Sequence, residues 1–191
     1  MLSYTDLTKG TLFIMDGEPW EVLDAHFLRM QQRKAVVQTK IKNLINGKII
    51  DKNFQPSDEF EEAEIEKMKA RFLYENRDVF WFDEVSNPRN RFSFSRDNLG
   101  KKADFLKPNL EVSAIKFNDR IIGIELPIKV DYRVIEAPPA LKGNTATGGN
   151  KMITIESGAK ISVPLFINEG DIIRVNTSTG EYVERVESKK A

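Results

Sequence analysis

Two-residue turn signals punctuate this chain between short apolar runs, and they restrict its fold more than any other feature. Asp16-Gly17 separates residues 12–15 from 20–23, Asn46-Gly47 separates 44–45 from 48–50, and Asn118-Asp119 separates 110–117 from 121–126. Ser157-Gly158 and Thr179-Gly180 do the same near the C-terminus. These dipeptides accept positive φ at low cost, which is the backbone a tight hairpin requires. Further strand-like runs are expected at residues 68–74, 79–82, 91–94, 129–136, 152–155, 159–163, 172–176 and 182–186. Residues 95–106 alone suit a helical turn or two, and Gly100 keeps them short. The chain therefore reads as all-β.

The turns and runs group into three units, residues 1–64, 65–127 and 128–191. Short strands and tight turns without a helix suggest a small SH3-like barrel for the first. Five strands with one short helix suggest an OB-like barrel for the second. The third matches it in size, so two OB-like barrels in succession are expected. The acidic segment up to Glu66 reads as a connection or a short edge. Phe72 and Tyr74 are placed on one side of their strand by simple alternation.

Within the first unit, residues 26–44 alternate as a half-buried hairpin. Ala35, Val37, Thr39 and Ile41 fall on one side, and Val36, Gln38, Lys40 and Lys42 on the other. Between the arms lies Arg29-Met30-Gln31-Gln32-Arg33-Lys34, a polar cationic run with no glycine or proline. Its charge suits contact with something anionic. The alternative is a solvated surface hairpin.

Charge supports a local rather than a global anion-binding role. Lys plus Arg and Asp plus Glu are both 29, so the chain as a whole does not coat phosphate indiscriminately. Between residues 26 and 52, however, seven basic residues face Asp51 alone, and Asp58, Glu59, Glu61, Glu62, Glu64 and Glu66 follow.

Enzyme chemistry finds no constellation. There is no cysteine, hence no disulfide frame or thiolate zinc site. The single His26 reads as a half-buried strand residue. No phosphate-binding glycine loop, metalloprotease helix or nucleophile elbow is present. The expectation is a non-enzyme without cofactor or metal. The first ten residues lack the pattern of a secretory signal, and no apolar run approaches the roughly 20 residues that span a bilayer. A cytoplasmic monomer without membrane contact is expected.

Residues 151–170, KMITIESGAKISVPLFINEG, resemble the C-terminal signature of bacterial elongation factor P through Lys151, Gly158, Ile161, Val163, Pro164, Ile167 and Gly170. Ile153 departs from it, standing where the family usually has a small residue. Leu141-Lys142-Gly143-Asn144-Thr145-Ala146 resembles the family's loop, with Asn144 where Asp is typical. Residues 179–186, Asp16-Gly17-Glu18-Pro19 and Lys42-Asn43-Leu44 extend the likeness along the whole chain in order.

The resemblance implies an SH3/KOW-like barrel followed by two OB-like barrels in a tRNA-shaped arrangement. It implies binding to the ribosome between the peptidyl-tRNA and exit sites, with relief of stalling at consecutive prolines. Arg29, Met30, Gln31, Gln32, Arg33 and Lys34 would then face the CCA end of the P-site tRNA. Gly143, Asn144, Thr145 and Ala146 would lie near the exit-site codon of the mRNA, and Tyr182 and Arg185 would contact rRNA. Family members usually carry Pro-Gly followed by a modified Lys or Arg; an ungapped count puts Gln32 there, after Met30-Gln31. Glutamine offers neither the amine nor the guanidinium that is extended, so the expectation is a factor that works unmodified. A slipped register would instead put Arg33 or Lys34 at that position. A divergent paralogue with another stalling spectrum and a general RNA-binding or chaperone module remain alternatives.

Overall fold

The computed structural model describes residues 1–28, 35–139 and 149–188. Three antiparallel sheets account for most of them. The first contains β1 (Leu2–Ser3), β2 (Leu12–Met15), β3 (Glu18–Leu28), β4 (Val36–Asn43), β5 (Ile49–Phe54) and β6 (Glu59–Glu62), in the order β1-β6-β2-β3-β4-β5. Asp16 and Gly17 take φ of 55° and 78°, the positive values their turn demands.

Within the acidic segment, residues 59–62 form an interior strand rather than an edge, and residues 63–65 connect it to the strand that begins at Glu66. β6 lies between β1 and β2, with Leu2 opposite Phe60 and Phe13 opposite Glu62. One inward aromatic is enough to hold it. Phe60 packs at 5.1 Å from Phe13 and 4.8 Å from Phe54, ring centre to ring centre, while its glutamates stay in water. Leu7, Phe13, Trp20, Val22, Val37 and Ile41 complete this core.

The second sheet contains β7 (Glu66–Asn76), β8 (Val79–Glu84), β9 (Asn87–Ser95), β10 (Glu111–Phe117) and β11 (Arg120–Glu125), in the order β11-β10-β7-β8-β9. The helical piece is α1 (Arg96–Leu99), capped by the Ser95 side chain and followed by a 3-10 stretch, Gly100–Phe105. Gly100 has φ 55°, which ends α1 as its sequence suggests. Between β7 and β8 the register jumps: Phe72 faces Phe82, but Tyr74 faces Trp81. Leu73 is the extra residue of a β-bulge. Phe72 and Tyr74 therefore occupy opposite faces, contrary to simple alternation. Phe72 is buried, and Tyr74 is 46% exposed.

The third sheet contains β12 (Lys129–Glu136), β13 (Asn150–Ile155), β14 (Lys160–Pro164), β15 (Ile172–Asn176) and β16 (Glu181–Glu187), in the order β14-β13-β12-β15-β16. Its core is mostly branched aliphatics, with Tyr132 fully buried among them. The Tyr132 hydroxyl donates to the Phe105 carbonyl at 2.6 Å. Desolvation, with the Glu156 charge adding to it, pushes that phenol above its ordinary pKa.

The chain divides into two compact units, Met1–Met68 with Ala114–Gly123, and Lys69–Ser113 with Ile124–Ala191. Among the described residues no helix is long and apolar enough to cross a membrane.

Candidate functional site

The hairpin of β3 and β4 is the longest paired element of the first unit. Eight register pairs run from Trp20–Asn43 to Leu28–Val36, interrupted by a bulge at Leu23. β4 shows the expected alternation: Val37, Thr39, Ile41 and Asn43 are buried, while Gln38 and Lys40 are exposed. Thr39 satisfies its hydroxyl by donating to the Lys52 carbonyl at 2.8 Å, so a polar residue is tolerated on the inner face. β2 pairs with β3 only as far as Glu21. From Asp24 to Leu28, β4 is the strand that pairs with β3 among the described residues.

The base of the hairpin is closed by Asn43, which sequence reasoning noted only as part of a motif. Its side chain is fully buried and donates to Glu18 Oε2 at 2.6 Å. Its Oδ1 accepts from the backbone N–H of Ile45 and of Asn46, at 2.8 and 3.0 Å. One amide thereby joins the start of β3 to the turn after β4. Sequence offers a signal in Asn43 standing three residues before Asn46-Gly47, since an Asn side chain readily caps a turn.

The far end is different. Phe27 is 50% exposed and Leu28 37%, two apolar side chains turned to solvent beside the last pair. The tip residues Arg29, Met30, Gln31, Gln32, Arg33 and Lys34 lie outside the described residues. His26 is exposed rather than half-buried, with Nε2 3.2 Å from Asp24 Oδ2. It borders a groove of about 320 Å³ in which Asp24, Lys40 and Asp51 stand side by side in register across β3, β4 and β5. Alternating charge of that kind neutralises itself. Among the described residues no three His, Asp or Glu side chains converge to hold a metal ion.

The loop with Gly143, Asn144, Thr145 and Ala146 also lies outside the described residues. Its two stems are tied together: Lys151 Nζ donates to the Pro138 carbonyl at 3.0 Å, and Glu136 pairs with Thr154. Tyr182 and Arg185 both lie on β16. Tyr182 packs partly buried against the third sheet's core. Arg185 holds its guanidinium 5.1 Å above the Phe166 ring and 3.6 Å from buried Asp171. Phe166, 55% exposed, is a residue that sequence reasoning did not single out by itself.

The family model described as the elongation factor P KOW-like domain matches residues 3–60, and that described as elongation factor P, C-terminal, matches residues 130–185. Elongation factor P of Acetivibrio thermocellus is 37% identical over 186 residues, which cover 97% of this chain and 100% of that protein. The chain belongs to the elongation factor P family. The same factor from Brachyspira hyodysenteriae is 41% identical over 97% of this chain and 99% of its own length. A solved structure titled eukaryotic translation initiation factor 5A, from Methanococcus jannaschii, overlaps at a TM-score of 0.49 with 16% identity, covering 66% of this chain and 90% of that one. Elongation factor P membership supports a role as a translation elongation factor and implies interaction with the ribosome. It also assigns the first sheet to a KOW-like domain.

Proposed function

We propose that this chain binds the ribosome between the peptidyl-tRNA and exit sites and promotes peptide-bond formation at consecutive prolines. The observation that carries this reading is the β3–β4 hairpin, whose eight register pairs end at Leu28–Val36 and hold both ends of the tip segment together. Proline attacks from a constrained secondary amine, so a loosely held peptidyl-tRNA rarely reaches the reactive geometry. Restricting the CCA end raises the fraction of time spent in that geometry, a contribution of proximity and orientation. The bond-making centre is the ribosome's own.

In this reading Arg29, Arg33 and Lys34 contact backbone phosphates, which position the tRNA without reading sequence. Gln32 acts as an unmodified hydrogen-bonding group beside the tRNA end. Gly143, Asn144, Thr145 and Ala146 face the exit-site codon, and Asn144 and Thr145 have the donors and acceptors for base or ribose edges. Tyr182 and Arg185 contact rRNA. The accompanying division is residues 1–64, 65–127 and 128–191, in a monomer of the cytoplasm.

The test is peptide-bond formation on a reconstituted ribosome reading a Pro-Pro-Pro template. The protein used is one whose intact mass matches its sequence. Acceleration by this unmodified protein is the expected result. Ribosome binding without acceleration would sink the unmodified-tip reading, and absence of both would sink the assignment. For protein from its native source, an added mass mapped to residues 29–34 would also count against Gln32 acting unmodified.

A further inference from the structure

The bulge at Leu73 has a chemical consequence on the outward face of β7, β8 and β9. By moving Tyr74 to the face opposite Phe72, it sets the Tyr74 ring against Trp81, with centroids 6.4 Å apart and planes 28° from parallel. Both rings lie on the side of the sheet that points away from Phe72, Phe80 and Phe82, which fill the interior. A stacked pair with Tyr74 46% exposed leaves flat aromatic surface in contact with water.

The surroundings of the pair are polar and predominantly basic. Ser93 is the register partner of Trp81, and Arg91 that of Asp83. Lys69 lies two residues before Arg71 on β7 and shares its side. Asp83 is the carboxylate closest to the pair along β8, and it is taken up by Arg71, which holds it in a fork of 2.6 and 3.2 Å. That carboxylate is 4% exposed. Glu111 adds attraction to Arg71 from the β10 side and marks the acidic border of the face. Lys69 and Arg91 are exposed and form no ion pair among the described residues.

We propose that this face binds unpaired nucleobases of single-stranded RNA, with Tyr74 and Trp81 as the stacking surface. Lys69 and Arg91 contact the flanking phosphates, and the Arg71–Asp83 pair keeps the neighbouring carboxylate away from them. A base laid on an aromatic ring is worth about 1–3 kcal/mol and tolerates any sequence, because every base has a flat face. An apolar protein partner would gain little from the serine, lysine and arginine around the rings. The site stands on the second sheet alone and does not depend on what the β3–β4 hairpin does.

The chain has two tryptophans, Trp20 and Trp81, so Trp20→Phe makes Trp81 the sole reporter. Trp20 is buried and its Nε1 has no hydrogen-bond partner among the described residues, so phenylalanine replaces it there without breaking a bond the structure shows. Titration of this full-length variant with a six-nucleotide oligoadenylate should quench Trp81 fluorescence saturably. Anisotropy of the same labelled oligonucleotide on the unaltered chain gives an affinity independent of that substitution. Tyr74→Ala should weaken binding roughly tenfold, Tyr74→Phe should preserve it, and Arg91→Ala should lower the slope of log affinity against log salt by about 0.7. Equal affinity for Tyr74→Ala and the unaltered chain, with an unchanged thermal transition, would overturn the proposal. So would loss of ribosome binding in Tyr74→Ala without any effect of the oligonucleotide on Trp81, which would give the face to a protein partner.

Discussion

The β3–β4 and β7–β8 hairpins are both long, yet the described residues nearest their far ends are held in different ways. β7 and β8 close through Arg77 and Asp78, both at positive φ, and Arg96 clamps the closure. Its guanidinium reaches Asp78 at 3.2 Å, Asp104 at 2.9 Å and Glu75 at 3.6 Å while lying 5.2 Å from the Phe80 ring centre. At the corresponding end of β3–β4 the described residues offer the exposed His26–Asp24 contact and two half-exposed apolar side chains. There the fixing occurs at the base, through Asn43. A hairpin whose end meets another molecule, the role proposed for β3–β4, gains from exposed side chains such as Phe27 and Leu28 near that end. One whose end only supports a sheet gains from tying them down.

Substitutions can break this contrast at each position. Asn43→Ala should be the most damaging, at about 2–3 kcal/mol, because it leaves Glu18 and two turn amides without their buried partner. Chemical denaturation measures it, and a loss under about 0.5 kcal/mol would remove Asn43 as the fixing point. Arg96→Ala should cost about 1 kcal/mol. Its three ion pairs are discounted because the side chain is 43% exposed, and contact with Phe80 supplies part of the total.

Tyr132→Phe extends the comparison to the other tied-down group of the second unit. Losing the 2.6 Å bond to Phe105 should cost about 1 kcal/mol near neutral pH. The folded phenol has a raised pKa, so the unfolded chain gives up its proton first as pH rises above about 10. This contribution is complete below that pH and is lost progressively above it. The alkaline fall in stability should therefore be shallower in Tyr132→Phe, and identical slopes would contradict the burial argument. Phe27→Ser should have the smallest effect on stability, within about 0.5 kcal/mol. Paired with the peptide-bond assay it becomes the most informative: unchanged stability with reduced acceleration would locate function at the far end of β3–β4.

The sequence was readable where local chemistry dictates backbone. Asp16-Gly17 and Asn118-Asp119 adopt the positive φ their side chains permit, and β12 and β15 occupy the expected residues. Arg77-Asp78 makes the same kind of turn with only Asp78 as a permissive residue, and Arg77 takes φ 51° beside it in the closure of the paired β7 and β8. β6 was not legible as an interior strand: three of its four residues are glutamates, and its place is decided by Phe60 meeting two distant phenylalanines. The aromatic pair on β7–β8 was hidden for a related reason. A one-residue bulge reverses which side chains share a face, and nothing in the local sequence announces it. For the hairpin, alternation revealed which residues of β4 face inward. The assignment of its tip came from family resemblance.

The place of β6 also predicts an order in which the first sheet's contacts close. β2 through β5 follow one another as neighbours, so their contacts close over short separations and can form early. β1 must wait, because its partner Phe60 is far downstream of Leu2. Until residue 62 has been synthesised the first barrel has a gap between its opening strand and β2. Phe13 and Phe54 meanwhile lack their third ring. Contact separation thus predicts that β3 pairs with β4 before β6 seals the barrel, the step that closes over the longest range.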